Sequence, residues 1–505
     1  MPETAAVPEA APDGWQNLDR ERDGVYGVSS DRALELLADR EPARTVVVAV
    51  IDGGVDTAHV DLRDAMWHNP DETPGNDRDD DGNGYVDDVF GWNFIGGPDG
   101  RNVDHDTYEL TRLYALCRGG TPPAQYDCDE LAADFEETRA ENAALMQQVE
   151  QIDAALTAVI PVLQRAAGTE ELTPEAVEAI QTTDPQLQQM RDIWLQLSAA
   201  GITPEYMEDV RADVEAGGEY SLNPDFDPRD IVGDDYSNGD ERQYGNADVM
   251  GPGADHGTHV SGIIAAARNG MGNDGIAAGV VSIMAVRAVP DGDERDKDVA
   301  NAIRYAVDEG AHIINMSFGK GYSPRKHLVD EAVRYADERG VLIIHAAGND
   351  GADLEVEDNY PNRYYDDGGQ AANWVTIGAS TWRADSLAAT FSNYARTKVD
   401  VFAPGIEILS TVPDGEWERS QGTSMAAPVA TGVAALLMAY FPDLTASEVR
   451  EILLESAVRH PEQVVARPGD PPPPGQTGPT ARFGDLSVTG GVVNAYEAVR
   501  LALER

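Results

Sequence analysis

The sequence predicts an α/β protein built on a parallel sheet and carrying a mainly helical insertion. Three observations predict it. Short apolar runs rich in Val and Ile recur along the chain, as strands buried on both faces require. Amphipathic stretches of helical period fall between them. One long segment, 105–220, breaks the alternation and carries helix signals alone.

Taken in order, residues 1–44 read as an N-terminal extension of loops with a short helix around 30–39. TVVVAVID (45–52) reads as the first buried strand and ends in Asp52. An Asp/Gly/Asn-rich stretch follows at 69–104. The run Leu131, Phe135, Thr138, Asn142, Leu145, Val149, Ile152, Leu156, Val159, Leu163 steps alternately by four and three, the spacing of a helix seam. Pro161 predicts a kink or a break near its end. Thr173-Pro174-Glu175 and Thr203-Pro204-Glu205 each place an N-cap, a first-turn proline and an acid in helix-starting order. Residues 105–244 are therefore assigned to an inserted helical hairpin or small bundle.

From 251 the alternation returns. Strand-like runs are VSIMAVRAV (281–289), HIINMSF (312–318), VLIIHAA (341–347), WVTIGAS (374–380) and VDVFAPG (399–405). Helices are expected at about 298–309 and 325–339, and a last one at 493–504. The stretch 460–482, with Pro471 to Pro474, reads as a loop or semi-rigid link. Residues 45–104 and 245–505 thus form one α/β domain around the insertion.

The chain has 505 residues, 90 acidic and 37 basic, for a net charge of −53. A field this negative repels phosphate backbones and argues against nucleic-acid binding. The 42% hydrophobic fraction supports a large core and argues against global disorder. No run of about 18 apolar residues marks a transmembrane segment. The opening MPETAAVPEA lacks the basic start and apolar stretch of a signal peptide, so the protein either stays inside or has lost a signal. The only lysines are Lys297, Lys320, Lys326 and Lys398. This bias fits GC-rich codon usage, and it fits adaptation to high salt, where a carboxylate surface holds water and ions. Cys117 and Cys128 are spaced for a disulfide, and two unpaired structural thiols fit the sequence equally.

Three segments carry chemistry. VVVAVIDGGVD places Asp52 at the carboxyl end of a strand, DHGTHVSGIIAA places His256 just ahead of a helix, and GTSMAAPVATGVAALL places Ser424 at the mouth of an apolar helix. Parallel α/β sheets collect ligands at the carboxyl ends of their strands, so these residues can converge. Ser424 would be the nucleophile, His256 the general base, and Asp52 the group that orients the imidazole. Gly422, Thr423, Ala426 and Ala427 are small enough to let a substrate backbone approach.

With these blocks in this order the chain resembles the subtilases, the subtilisin-like serine peptidases. The opening GWQNLDRERDGVYGVSSDRALE and the closing LSVTGGVVNAYEAV resemble the larger subtilases of Bacteroidota-like bacteria. The resemblance implies the subtilisin-like three-layer sandwich and a serine endopeptidase acting on extended polypeptides through an acyl-enzyme. It implies Asn349, in HAAGND, as the oxyanion-hole side chain. It implies Ser317, Phe318 and Gly319 as the strand that aligns substrate, and Ala347 and Gly348 as walls of the pocket before the scissile bond. The Phe318 ring leaves pocket preference open. Gly53 departs from the Ser or Thr common there, which removes one local hydrogen bond. No recognisable inhibitory propeptide precedes Asp52. An exported location follows from the same resemblance, and with it the high-salt reading gains ground. The competing reading is a catalytically silent scaffold that uses the helical insertion as an interface.

Other residues have plainer readings. His259 reads as a structural helix residue, His59, His68 and His105 as surface or loop residues, and Asp56 and Asp255 as turn-shaping acids. The loop DRDDDGNGYVDD (77–88) follows the order of a calcium loop. With Asp77 at position 1, Asp79, Asp81, Asn83, Tyr85 and Asp88 take the ligand positions and Gly82 the turn. Bound Ca²⁺ in a structural role is expected there, the plain reading being a solvated acidic loop. No His/Cys cluster has zinc spacing.

Overall fold

The computed structural model describes residues 7–199, 201–469 and 478–505. Pro471 to Pro474 lie outside the described residues. The strands run β1 (Val46–Asp52), β2 (Gly91–Asn93), β3 (Val281–Arg287), β4 (Ile313–Met316), β5 (Leu342–Ala346), β6 (Trp374–Ser380), β7 (Val401–Pro404), β8 (Ile408–Val412), β9 (Glu416–Ser420), β10 (Val458–Arg459), β11 (Val464–Ala466), β12 (Thr480–Arg482) and β13 (Gly491–Val492). Nine of them form one sheet in the order β10-β13-β7-β6-β5-β4-β1-β3-β2. All neighbours in it are parallel except β10 and β13.

Alternation along β1 explains the apolar run. Val46, Val48 and Val50 face one helical layer, and Ala49 and Ile51 face the other. The first layer holds the helices Asp255–Ala265, Thr423–Tyr440 and Ala495–Glu504; the second holds Asp296–Asp308 and Lys326–Glu338. This is the expected three-layer α/β sandwich. The six expected strands and the helices between them are present. Short β2, β10 and β13 and the hairpin β8–β9 carried no such signal, nor did β11 and β12, which pair antiparallel inside the stretch 460–482 expected to be loop. The hairpin strand β9, EWERS, has no apolar alternation because it is largely exposed.

Thr423–Tyr440 is, among the described residues, the one helix long and apolar enough to cross a membrane, and it lies in the core. The N-terminal extension joins the same core through Trp15, Val28 and Leu37.

The chain divides into two compact units, one of residues up to Asp104 together with Pro228–Arg505, the other His105–Asp227. The expected insertion boundary at 244 is thus too late. Residues 228–244 stay with the first unit because buried charges lock them there. Arg229 pairs with Asp234 at 2.6 Å and Asp298 at 2.5 Å, and Lys297 pairs with Asp234 at 2.6 Å and Glu241 at 2.8 Å.

The second unit is helical. Its long helix spans Cys128–Ala167 with Pro161 inside, so the expected break does not occur. The Thr157 carbonyl simply loses its helical donor there. Val149, Leu156, Val159 and Leu163 pack with Val177, Ile180, Trp194 and Met207. Thr173 and Thr203 cap as read, accepting from Ala176 N and Tyr206 N. Cys117 and Cys128 form a disulfide.

Candidate active site

Asp52 ends β1 and is buried. Its Oδ1 accepts from Gly53 N at 2.7 Å and pairs with His256 Nδ1 at 2.8 Å. That contact puts the proton on Nδ1 and leaves the Nε2 lone pair to act as a base. Oδ2 is buried without a partner among the described residues, as the missing hydroxyl at position 53 foreshadowed. Gly53 cannot readily regain one, since a Cβ there would sit 3.0 Å from the Gly253 carbonyl oxygen.

His256 is the second residue of its helix. The glycine after it is required: a Cβ on Gly257 would meet the Gly54 carbonyl at 2.1 Å. The helix can therefore press its first turn onto the end of β1. Burial opposes charge on the imidazole, but the Asp52 carboxylate outweighs it and holds the His256 pKa above the ordinary value. The ring keeps an open edge, with 44% of the side chain accessible.

Ser424 is the second residue of the helix Thr423–Tyr440, next to Gly422 at φ 150°. Its hydroxyl donates to the Ser317 carbonyl at 2.9 Å. Engaging His256 Nε2 requires the hydroxyl to release that carbonyl. Asn349 lies beside it, its Oδ1 accepting from Thr423 N at 2.8 Å and Thr423 Oγ1 at 2.9 Å. Thr423 thus fixes the amide orientation and leaves Nδ2 as the outward donor. Thr423 was read only as a small residue; its orienting role needed the tertiary contact.

A cavity of about 310 Å³ is lined by Asp52, His256, Ser317 and Phe318. A second, of about 280 Å³, is lined by Phe318, Gly319, Gly348, Asn349 and Ser424. They share Phe318 and Val289. The expected strand stops at Met316, and Ser317, Phe318 and Gly319 follow it as loop; the Phe318 carbonyl accepts from His345 Nε2 at 2.8 Å and faces inward. Ala347 is buried, and its carbonyl accepts from Asn359 and Asn393, each at 3.0 Å. Gly348 contributes backbone to the wall at φ 101°.

A profile of the subtilase family matches residues 43–485. The chain belongs to the subtilase family. This subtilase is 39% identical over 228 residues to the thermophilic serine proteinase of Bacillus sp. strain AK1, covering 45% of this chain and 51% of that one. It is 35% identical over 209 residues to subtilisin E of Bacillus subtilis strain 168, covering 41% and 51%. It therefore spans about half the length of these curated relatives. Among solved structures, a cold-adapted subtilisin-like serine proteinase shares 30% identity over 50% of this chain and 76% of its own, with a TM-score of 0.37.

The remaining histidines of this subtilase sort by burial. His259 Nε2 contacts the Ile408 and Glu418 carbonyls at 3.0 and 3.1 Å, and burial pushes its pKa down to about 4, as a structural residue requires. His59 is a loop residue as read, but a buried one: it contacts the Glu416 carbonyl at 3.1 Å and packs edge-on to Trp417. His68 is exposed, and His105 stacks on Tyr220. Asp56 shapes its turn through Ala58 N at 2.9 Å, and Asp255 opens the His256 helix.

The Asp-rich loop assembles differently from its linear order. Oxygens of Glu72, Asp81 and Asp88 lie within 4.8 Å of one another. Asn83 Nδ2 reaches Asp81, Asp88 and Glu309, each at 3.1 Å. Asp77 and Asp79 fall outside this cluster, a correction to the expected set. Asp79 turns onto its own loop and accepts from Gly82 N at 2.6 Å and Gly84 N at 2.9 Å. Asp77 N donates to Asp87 at 2.8 Å. Tyr85 is buried, and its hydroxyl donates to the Arg242 carbonyl at 3.2 Å. Glu72, outside the 77–88 window, was missed. It is 8% exposed, and its Oε2 has no partner among the described residues. Burial and the neighbouring Asp81 charge raise the Asp88 pKa to about 6, and burial raises Glu309 to about 7.

Proposed function

We propose that this subtilase is a serine endopeptidase that cleaves extended polypeptides through an acyl-enzyme. The observation that carries the reading is the 2.8 Å His256–Asp52 contact on one cavity, which shares Val289 and Phe318 with a second cavity lined by Ser424 and Asn349. Ser424 Oγ attacks the scissile carbonyl while His256 Nε2 takes its proton. Asn349 Nδ2 and the Ser424 backbone N–H receive the oxyanion, helped by the positive end of the serine helix. His256 then returns the proton to the leaving amine, and water repeats the sequence on the ester. Substrate pairs with Ser317 and Gly319, and its side chain before the scissile bond enters the cavity walled by Gly348.

The test is Ser424→Ala. Hydrolysis of casein and labelling by a serine-directed phosphonate should both disappear; labelling that persists overturns the assignment.

Supporting roles belong to the same proposal. Oxygen ligands from Glu72, Asp81 and Asp88 suit Ca²⁺, which would neutralise the cluster and stiffen the loop. The Cys117–Cys128 disulfide supports an oxidising, exported location. A high-salt habitat is supported by where the lysines lie. Lys297, Lys320 and Lys326 are largely buried in ion pairs and Lys398 pairs with Asp358, so the solvent-facing cations are almost all arginine.

A further inference from the structure

Arg287 ends β3 directly across from Asp52, its register partner on β1. It is 1% exposed. Its guanidinium donates to four oxygens: Gly53 O at 2.7 Å through Nε, Val103 O at 2.6 Å, Pro252 O at 3.0 Å, and Asn93 Oδ1 at 3.4 Å. Among the described residues no carboxylate lies within ion-pair distance; Asp248 and Asp104 act on it only from farther away. Burial accordingly presses its pKa down to about 10.

Burying a guanidinium without a counter-charge is expensive, and an apolar side chain would fill the space at lower cost. What the charge supplies is geometry. Gly53 follows the catalytic aspartate, and Pro252 lies in the turn that launches the His256 helix. The turn is shaped around the guanidinium: Gly251 adopts φ 55°, and a Cβ there would lie 2.5 Å from Arg287 Nε. A planar fork donates to several fixed carbonyls at once, which a lysine ammonium at the end of a flexible stem does not reproduce.

We infer that Arg287 is a positioning residue, whose guanidinium ties the end of β1 to the turn ahead of His256 and so sets the Asp52–His256 pair. It touches neither substrate nor reacting atoms. The inference rests on the peptidase reading, and it competes with a purely structural role in which Arg287 only adds stability.

The experiment compares Arg287→Met and Arg287→Lys with wild type, using the phosphonate to titrate competent sites so that unfolded protein is not counted. Per titrated site, kcat of Arg287→Met should fall about 10²-fold with KM nearly unchanged, the cost of a misplaced catalytic group. Arg287→Lys should recover part of that loss. The acid limb of the kcat/KM profile should move to lower pH, because a looser pair raises the His256 pKa less. Loss of the guanidinium charge alone would move it the other way. NMR of the His256 Nδ1 proton without substrate is a readout that does not depend on peptidase activity: in Arg287→Met the signal should shift upfield and exchange faster. An unchanged Nδ1 resonance together with wild-type kcat per titrated site would overturn the inference, leaving Arg287 a structural residue.

Discussion

Ser317 and Ser424 exchange hydrogen bonds: each hydroxyl donates to the other's carbonyl at 2.9 Å. The reason lies four residues along the helix. Pro428 has no N–H, so the Ser424 carbonyl lacks its helical donor, and Ser317 supplies one. The backbone of Ser424, the proposed nucleophile, is thereby tied to the segment that follows β4, where substrate is proposed to bind. Ser317 Oγ is held in turn by Asn315 Nδ2 at 2.9 Å.

Ser317→Ala should therefore act on stability and turnover together. It leaves the Ser424 carbonyl and the Asn315 amide each short of a partner, at a cost of about 1–3 kcal/mol. The denaturation midpoint should fall, and kcat should fall more than KM rises. An unchanged midpoint would show that water replaces the hydroxyl.

Asn349→Leu should lower kcat by about 10²- to 10³-fold, the loss known for such a donor in subtilisin itself. Thr423→Val removes the hydroxyl that accepts from Gly348 N at 3.1 Å and donates to Asn349 Oδ1. It should lower kcat less than Asn349→Leu, because Thr423 N still holds the amide. Equal losses in both variants would refute this division of roles.

His256 carries two opposite pH signs. Its folded pKa lies above the ordinary 6.5, so general-base activity should appear only as pH rises through that higher value. The stabilising pairing of the protonated ring with Asp52 runs the other way: complete below the unfolded pKa, it is lost as pH rises through the folded one. A kcat/KM profile with its acid limb at or below the free-imidazole value would contradict the pairing.

Calcium should raise the thermal midpoint, and chelator should lower it. Glu72→Gln should remove most of that response and Asp79→Asn little, since the Asp79 carboxylate is held by backbone N–H groups of its own turn. An equal response in both variants would return the site to the linear 77–88 order.

Removing salt should reduce activity. With a net charge of −53, self-repulsion of the folded state grows as screening falls. Activity that rises at low ionic strength would sink the high-salt reading.

The parallel sheet, the three family motifs and the helical texture of the insertion were legible because each depends on local periodicity or on a contiguous motif. TVVVAVID must be buried on both faces wherever it pairs, and HGTHVSG carries its glycine next to His256. What the chain order could not show was proximity. Glu72 joins Asp81 and Asp88 only when the loop folds back. Residues 228–244 join the α/β unit through partners remote in the sequence, Lys297 and Asp298 among them. Ser317 becomes a donor only because Pro428 leaves a carbonyl open. Arg287 looks like any strand-ending arginine until its fork meets carbonyls from three other segments. Periodicity and motif determined the fold class, the family and the chemistry proposed for the chain. Tertiary structure decided which groups share it, because hydrogen bonds and buried charges are satisfied by whatever lies within about 3 Å in space, whatever its place in the sequence.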